Sequence, residues 1–523
     1  MKISKYVFFL CVFLSYLPVL AQVDTAWVRR YNGGIDDGAR ALTVDQDRNV
    51  YVTGFSRGGS SYEDYVTIKY APNGDTLWLR RYNGPGDYLD VAIALVVDKT
   101  GNVYVTGKSG RIGGPYPNYD YGTIKYAPNG DTLWVRQYNG PGNDDDEPFA
   151  LAVDDSGNVY VTGTSIGVGT YYDCATIKYS PTGDVLWVSR YNGPGNYYDE
   201  GRALAVDQSG NVCVTGRTAT LGYNINDYVT IKYSSSGDTL WVRPYNGPEN
   251  GSDAAYSLEI DDSGNVYVTG HSSGGDKTYL DYATIKYSPS GDTLWVRRYD
   301  GPVNDYDAPR ALAVDQLGNV YVTGQSTGAG TFYDYTTIKY SPSGDTLWVR
   351  RYNGPGNGVD IPWALAVDNS GNVYLSGYSS NGTDVDFRTI KYDKEGNILW
   401  TKRYDGPMND NDYVFSLVVD DSGNVYIAGE SWNIPQSGDY AIIKYIPVEC
   451  TAIAGDASGD NKVNIADIVF KVNYVFKGGP EPNPLCLGDD NADGSVNLQD
   501  IIYSVNYIFK GGPAPLKSRE CCL

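Results

Sequence analysis

Histidine is almost absent, with one residue, His271, in a chain of 523. That removes most histidine-based acid–base catalysis and histidine zinc chemistry. Positive charge is also scarce. Forty-one Lys and Arg stand against 63 Asp and Glu, a formal net charge of −22. Such a chain repels nucleic acid and anionic lipid, which are excluded as partners. Apolar runs long enough to span a bilayer are missing: the one near the start, Val7 to Leu14, is too short, and nothing like it follows. Hydrophobic residues still reach 41%, enough for a packed core, and the length suits two to four domains.

Residues 1–21 have the form of a signal peptide. Lys2 and Lys5 precede an apolar stretch, Val7 to Leu14, interrupted by Cys11, and Val19-Leu20-Ala21 precedes the expected cut. The mature chain then begins near Gln22, has no transmembrane segment, and is secreted to the extracellular space or cell surface. Export permits a disulfide between Cys450 and Cys486. Cys174 and Cys213 stand where sister repeats carry Tyr and read as buried thiols, whereas the pattern assigns Cys521 and Cys522 no role.

Internal repetition dominates the rest. Asn-Val-Tyr-Val-Thr-Gly or a variant recurs eight times, ending at Gly54, Gly107, Gly163, Gly216, Gly270, Gly324, Gly377 and Gly429. Each copy is accompanied by a Thr-Ile-Lys-Tyr-like string and by a segment holding one Trp. The segments read as four short strands, such as Ala203–Asp207, Asn265–Thr269, Thr284–Tyr287 and Thr293–Tyr299. Four-stranded units at this period predict an all-β fold, an eight-bladed β-propeller over residues 22–446. The small residues of the first strand suit the crowded axis, and the Trp and Tyr of the fourth suit the wider rim. A lone fourth strand, Thr25 to Tyr31, precedes the first unit, and the last unit lacks one. The N-terminal strand therefore closes the last blade.

Tight turns such as Asp261–Asn265 and Ser288–Asp292 define one uniform face. Long connections, such as Asn192–Asp199 and Thr164–Asp173, define the other, which is the candidate binding face. The strings Ala-Leu-Ala-Val-Asp and Gly-Asn-Val-Tyr-Val-Thr-Gly resemble the bacterial SBBP β-propeller repeats. That resemblance covers about four fifths of the chain, and implies the fold and an exported, surface-associated life without a specific activity.

The composition changes after Tyr445. A linker at 447–455 leads to a predicted module at 456–515 and a tail at 516–523. Two twelve-residue loops begin at Asp456 and Asp489, 33 residues apart. Oxygen side chains fall at Asp456, Ser458, Asp460 and Asp467, and at Asp489, Asn491, Asp493 and Asp500. Lys462 and Ser495 stand where a backbone carbonyl ligates. Such a set suits a hard cation, so two Ca2+ sites are expected. Gly494 and Asn491 favour tighter binding in the second loop. A helix should follow each loop, with apolar stripes Ile465, Ile468, Val469, Val472, Phe476 and Leu498, Ile501, Ile502, Val505, Phe509. About 65 residues make a small core, so the metal should supply folding energy.

These loops resemble a type I dockerin, which implies attachment to a cohesin-like protein. The chain departs from the dockerin pattern at Ile465-Ala466, Leu498-Gln499, Val472-Asn473 and Val505-Asn506.

Four Gly-x-Ser-x-Gly matches, beginning at Gly54, Gly163, Gly270 and Gly324, lie where the second strand ends. They read as repeat loops rather than nucleophile elbows, because an elbow needs a strand–turn–helix and a His partner. The acidic run Asp144–Glu147 reads as solvated or cation-binding. Trp363 and Trp432 fall outside the common Trp position, where an aromatic can stack on a sugar ring. The leading reading is a secreted, monomeric, non-catalytic binding or scaffold protein whose propeller meets a polysaccharide or protein. The alternative is a dockerin-borne polysaccharide-degrading enzyme with paired carboxylates.

Overall fold

The computed structural model describes residues 23–58, 62–112, 117–220, 225–274, 279–433, 437–447, 454–460, 462–480, 482, 487–491 and 495–516. Eight antiparallel four-stranded sheets account for 32 strands. The first blade is β2 (Asp36–Val44), β3 (Val50–Arg57), β4 (Glu63–Tyr70) and β5 (Thr76–Tyr82), paired in chain order. Blades 2 to 7 repeat that order. In blade 8, β1 (Val23–Tyr31) pairs with Ser437–Pro447, followed by Val425–Asn433 and Asp412–Val419. The chain is thus an eight-bladed propeller whose two ends share one sheet, and the ring spans Thr25–Ile446.

The core lies between blades. Tyr51, Tyr65 and Trp78 of blade 1 pack with Leu95, Val103, Val105 and Ile124 of blade 2. The seam is built alike: Trp27, Tyr426, Tyr440 and Ile442 of blade 8 pack on Ala39, Leu42, Val50 and Val52 of blade 1. The rim Trp also staples neighbours. Trp78 Nε1 donates to Pro128 O at 3.1 Å, and Arg80 Nε to Gly130 O at 2.6 Å. Trp27 and Arg29 make the same bonds across the seam, to Pro72 O and Gly74 O.

The preference for tyrosine over phenylalanine follows from this packing. A buried ring fills the space between sheets, and at two of the repeated positions its hydroxyl reaches a fixed acceptor. Tyr267 donates to Asp261, which also ties down the Asp261–Asn265 turn. Tyr228 donates to Ala283 O of the next blade, and Tyr440 donates to Val66 O across the seam. Cys174 and Cys213 fill two such tyrosine positions and are buried and free, as expected. Burial pushes both thiols up to about 12.

Each inner strand begins with a buried Asp that accepts from a glycine amide of the preceding loop, as Asp199 does from Gly193 at 2.7 Å. Each third strand carries another Asp, held in seven of the eight blades by an Arg. Arg190–Asp173 at 2.8 Å and Arg351–Asp334 at 2.9 Å are examples. In blade 4, Pro244 stands opposite Val229 where most sister blades place that Arg. Asp227 is thus the one third-strand Asp without an Arg partner among the described residues, and burial pushes it up to about 6.

The C-terminal unit holds α1 (Ile465–Lys477) and α2 (Leu498–Lys510). Each is opened by an Asn-Asp capping box, Asn464 with Asp467 and Asn497 with Asp500, and closed by a left-handed glycine, Gly478 and Gly511. The apolar stripes differ from expectation. Ile465, Val469 and Phe476 are exposed, as are Leu498, Ile502 and Phe509. Of the stripe, Ile501 is buried and Ile468, Val472 and Val505 are half-buried, and a polar network is buried beside them: Lys471 of α1 pairs with Asp490, which also accepts from Ser504 of α2. A 33-residue offset equates Lys471 with Ser504 and Ala457 with Asp490, so this network breaks the internal symmetry.

Buried carboxylates give the ring a pH signature. Desolvation pushes Asp90, Asp146, Asp307 and Asp412 up to about 6 and Glu259 up to about 7. In the unfolded chain these groups titrate near ~4. Between about pH 4 and 7 the folded ring therefore holds more protons, and its stability falls as pH rises. Asp98 and Asp154, also desolvated, are held below the usual range by Thr100, Asn102 and Asn158, and their contribution is lost only below about pH 4. The melting temperature of the ring, read from the near-ultraviolet circular dichroism of its tryptophans, is expected to be higher at about pH 5 than at about pH 7.5. Glu259→Gln is expected to flatten the upper part of that dependence. A melting temperature that rises with pH across this window would contradict the assignment.

Candidate functional site

Every inner strand carries a β-bulge at the same place, as between Gly201 and Ala203 or Pro309 and Ala311. The repeated glycine of the second strand is its counterpart. A Cβ on Gly216 would lie 1.9 Å from Glu200 O, so only glycine lets the inner strand approach this closely. The bulged residues are Arg40, Ile93, Phe149, Arg202, Tyr256, Arg310, Trp363 and Phe415. They sit on the innermost strands, and they differ from blade to blade within a frame that hardly varies.

Seven of these side chains, all but Ile93, follow one another in contact around the axis. Arg40 lies 4.7 Å from the Phe415 ring, and Phe415 packs edge-on against Trp363 at 5.5 Å. Arg310 lies 4.7 Å from Trp363 and 6.0 Å from Tyr256. Arg202 lies 5.4 Å from both Tyr256 and Phe149. Alternating guanidinium and aromatic groups attract through the ring quadrupole.

A second set comes from the residue after each repeated glycine and its partner on the inner strand. Lys108 pairs with Glu147 at 3.3 Å, and Arg40 with Glu430 at 2.7 Å. Glu200, 1% exposed, holds Arg202 at 2.5 Å and Arg217 at 2.7 Å. Burial would raise Glu200, but the two guanidiniums hold it below the usual range. His271 Nδ1 lies 2.8 Å from the Tyr256 hydroxyl. Burial first, then the charges of Arg217, Arg202 and Arg310, push His271 down to about 4, so it is neutral at pH 7. Tyr378 packs on Tyr413 at 5.1 Å, and Tyr413 packs on Trp432 at 6.1 Å. The two unusual tryptophans thus belong to one axial cluster with the sole histidine.

The Gly-x-Ser-x-Gly segments lie largely in second strands rather than in loops. Ser56, Ser165, Ser272 and Ser326 are buried and accept from Arg81, Arg190, Arg298 and Arg351. His271 pairs with Tyr256 instead, so no nucleophile–base pair forms there. The acidic run Asp144–Glu147 is not simply solvated: Asp146 is buried under Gly140 N, Asp145 accepts from Tyr119 N, and Glu147 pairs with Lys108. Among the described residues, the carboxylate trios converging to within 4.8 Å are Asp281/Asp300/Asp307 and Asp386/Asp405/Asp412. In both, an Asp follows the rim strand where sister blades carry Asn, and an arginine already pairs within the trio, Arg298 with Asp281 and Arg403 with Asp386 and Asp405. The uniform face carries grooves of about 290, 460 and 370 Å³ between successive blades. Their Asp residues hold the turns themselves, and the grooves repeat without individual character.

In the C-terminal loops, Asp456, Asp467, Asp489 and Asp500 are buried. Asp467 accepts from Ser458 N and Asn464 N, and Asp500 from Asp490 N, Asn491 N and Asn497 N. Ser458 Oγ lies 3.4 Å from Asp456, and Lys462 N donates to Asp460. Asn497 Nδ2 donates to Ser495 Oγ. Asp493 lies outside the described residues, as do Cys450, Cys486, Cys521 and Cys522.

The family model of the SBBP β-propeller repeat matches residues 133–169, 295–330 and 408–434. An uncharacterised WD repeat-containing protein, L264 of Acanthamoeba polyphaga mimivirus, is 24% identical over 456 residues. That match covers 77% of this chain but only 30% of the viral protein, so the chain spans about a third of its relative. Sqt1 from Chaetomium thermophilum superposes with a TM-score of 0.51 at 10% identity, over 82% of this chain and 99% of that one. The polysaccharide lyase Uly1 gives 0.41 at 11% identity, over 71% and 93%. These likenesses concern architecture.

A lone histidine gives an unambiguous nuclear magnetic resonance probe. Its titration is expected near pH 4, and Arg310→Gln and Arg217→Gln are each expected to move the midpoint upward. A midpoint near the ordinary ~6.5 would contradict the cationic surroundings.

Proposed function

We propose that the protein is a non-catalytic binding or scaffold protein. The propeller presents a ligand-binding site at its axis, and the C-terminal unit, loaded with two Ca2+, attaches it to a partner protein. One observation carries the reading: within the strands, whose framework is nearly identical in every blade, the bulged position that faces the axis changes from Arg to Ile, Phe, Tyr or Trp. Scaffold positions repeat because each must satisfy the same packing, whereas axial residues are free to differ. The segment at 1–21 supports a secreted or cell-surface location. An enzyme reading needs two carboxylates free to act as acid and base, whereas Glu147, Glu200 and Glu430 are each tied to a cation.

The calcium reading rests on the donor chemistry of the loops. Asp456, Ser458, Asp460, Asp467 and the Lys462 carbonyl would hold one ion. Asp489, Asn491, Asp493, Asp500 and the Ser495 carbonyl would hold the other. Buried carboxylates already oriented by loop amides, as at Asp467 and Asp500, fit such a role. The exposed stripes of α1 and α2, repeated at the 33-residue offset, support a protein partner of cohesin type.

Calcium addition to chelator-treated protein is expected to raise helical circular dichroism and slow proteolysis of the C-terminal unit, leaving the ring unchanged. Asp467→Ala and Asp500→Ala should each remove one site in a calorimetric titration. Asp493→Ala should cost more affinity than Asp460→Ala, and the reverse order would overturn the assignment of the second loop as the tighter. For the ring, calcium-loaded protein should sediment with at least one member of a panel of insoluble polysaccharides without releasing reducing ends. Release abolished by a carboxylate variant would establish the enzyme instead. No capture of any polysaccharide or protein would contradict the binding reading.

A further inference from the structure

Tyr256 is the centre of a cationic arc on the axis. Arg202 of the preceding blade and Arg310 of the following one lie 5.4 and 6.0 Å from its ring centroid. Arg217 joins them through Glu200, which it shares with Arg202. One carboxylate thus serves two guanidiniums, and Arg310 has no carboxylate partner among the described residues, which leaves two positive charges in excess. Three polar atoms in this half of the axis are buried with no hydrogen-bond partner: Nε of Arg217, Nε of Arg310 and Oε1 of Gln325. Unmet buried donors and acceptors cost folding free energy that a ligand can recover.

The adjoining arc is aromatic. Trp363 stacks against Arg310, and Tyr378 and Tyr413 follow in blades 7 and 8, all three only partly buried. Partly exposed Trp and Tyr faces suit the C–H faces of sugar rings. The planar guanidinium fork suits a carboxylate. A chain of net charge −22 repels polyanions, so the chemistry favoured is one isolated acid group on a neutral ligand.

We propose that this arc is a subsite for an oligosaccharide bearing a single uronic acid. Arg310 and Arg217 receive the carboxylate, and the neutral sugar rings lie against Trp363, Tyr378 and Tyr413. The proposal rests on the reading of the ring as a binding module and specifies what that module takes.

Calorimetry on the full calcium-loaded chain compares xylotriose carrying one glucuronate with plain xylotriose, alongside a short Asp-containing peptide. The acidic sugar is expected to bind about tenfold more tightly than the neutral one. Arg310→Gln should erase that difference. Arg310→Lys, which keeps the charge and loses the fork, should retain part of it, and Lys99→Gln on the uniform face should change nothing. The circular dichroism spectrum of each variant confirms that the ring is folded, so a failed fold is not read as lost binding. Equal affinity for the two sugars, an unaltered preference in Arg310→Gln, or preference for the peptide would overturn the proposal. If neither sugar binds while the polysaccharide or protein panel is still captured, the subsite is wrong and the binding module stands. If neither binds and the panel is also empty, both fail.

Discussion

Closure is the constraint on which the rest of the structure depends. Each blade buries its two faces against neighbours, so an eight-bladed ring with one open joint would expose two faces and unpaired strand edges. The joint is secured by making β1 the outer strand of blade 8. Trp27, Arg29 and Tyr440 then repeat at the seam the bonds made at ordinary junctions. Arg30 reaches Asp439 at 2.9 Å within the shared sheet, so the two ends of the ring are held by the same ion pair as most other blades. The axis depends on that joint as well, because Arg40 meets Glu430 and Phe415 across it.

Within the closed ring, one close approach divides constant from variable residues. The repeated glycine of the second strand lets the inner strand bulge, and the bulge turns one residue per blade toward the axis. Outward from that point most blades repeat the same bonds, with a Tyr hydroxyl on a turn Asp, an Arg on a third-strand Asp and a Trp on the next blade. Inward from it the partners differ. Further along the inner strands, where the other blades carry Thr, Val or Ala, Glu259 accepts from Val314 N of the next blade at 2.9 Å.

Most of the architecture was legible because repetition exposes it. Eight copies, a lone leading strand and a missing final one define both the blade count and the closure. The axial site was not legible, for a physical reason. Alternation along a strand assigns inward and outward faces, and a bulge interrupts that alternation. Reading the inner strand as Ala203–Asp207 begins one residue after Arg202 and discards the site. An alignment of the eight copies that looked for one variable column inside a constant frame would have found it. In the C-terminal unit the helical period was legible but the buried side was not. The buried Lys471–Asp490–Ser504 network occupies the interior, leaving much of the apolar stripe outside, and pattern alone reads apolar as inward.

The most direct test of this account removes the shared strand. Hydrogen exchange followed by mass spectrometry compares the full chain with a variant lacking Val23–Tyr31. Loss of closure predicts faster exchange in Ser437–Pro447 and Val425–Asn433 of blade 8 and in β2 and β3 of blade 1, with the blades opposite the seam least affected. Unchanged protection throughout would mean that the ring does not depend on its borrowed strand, and would contradict the account.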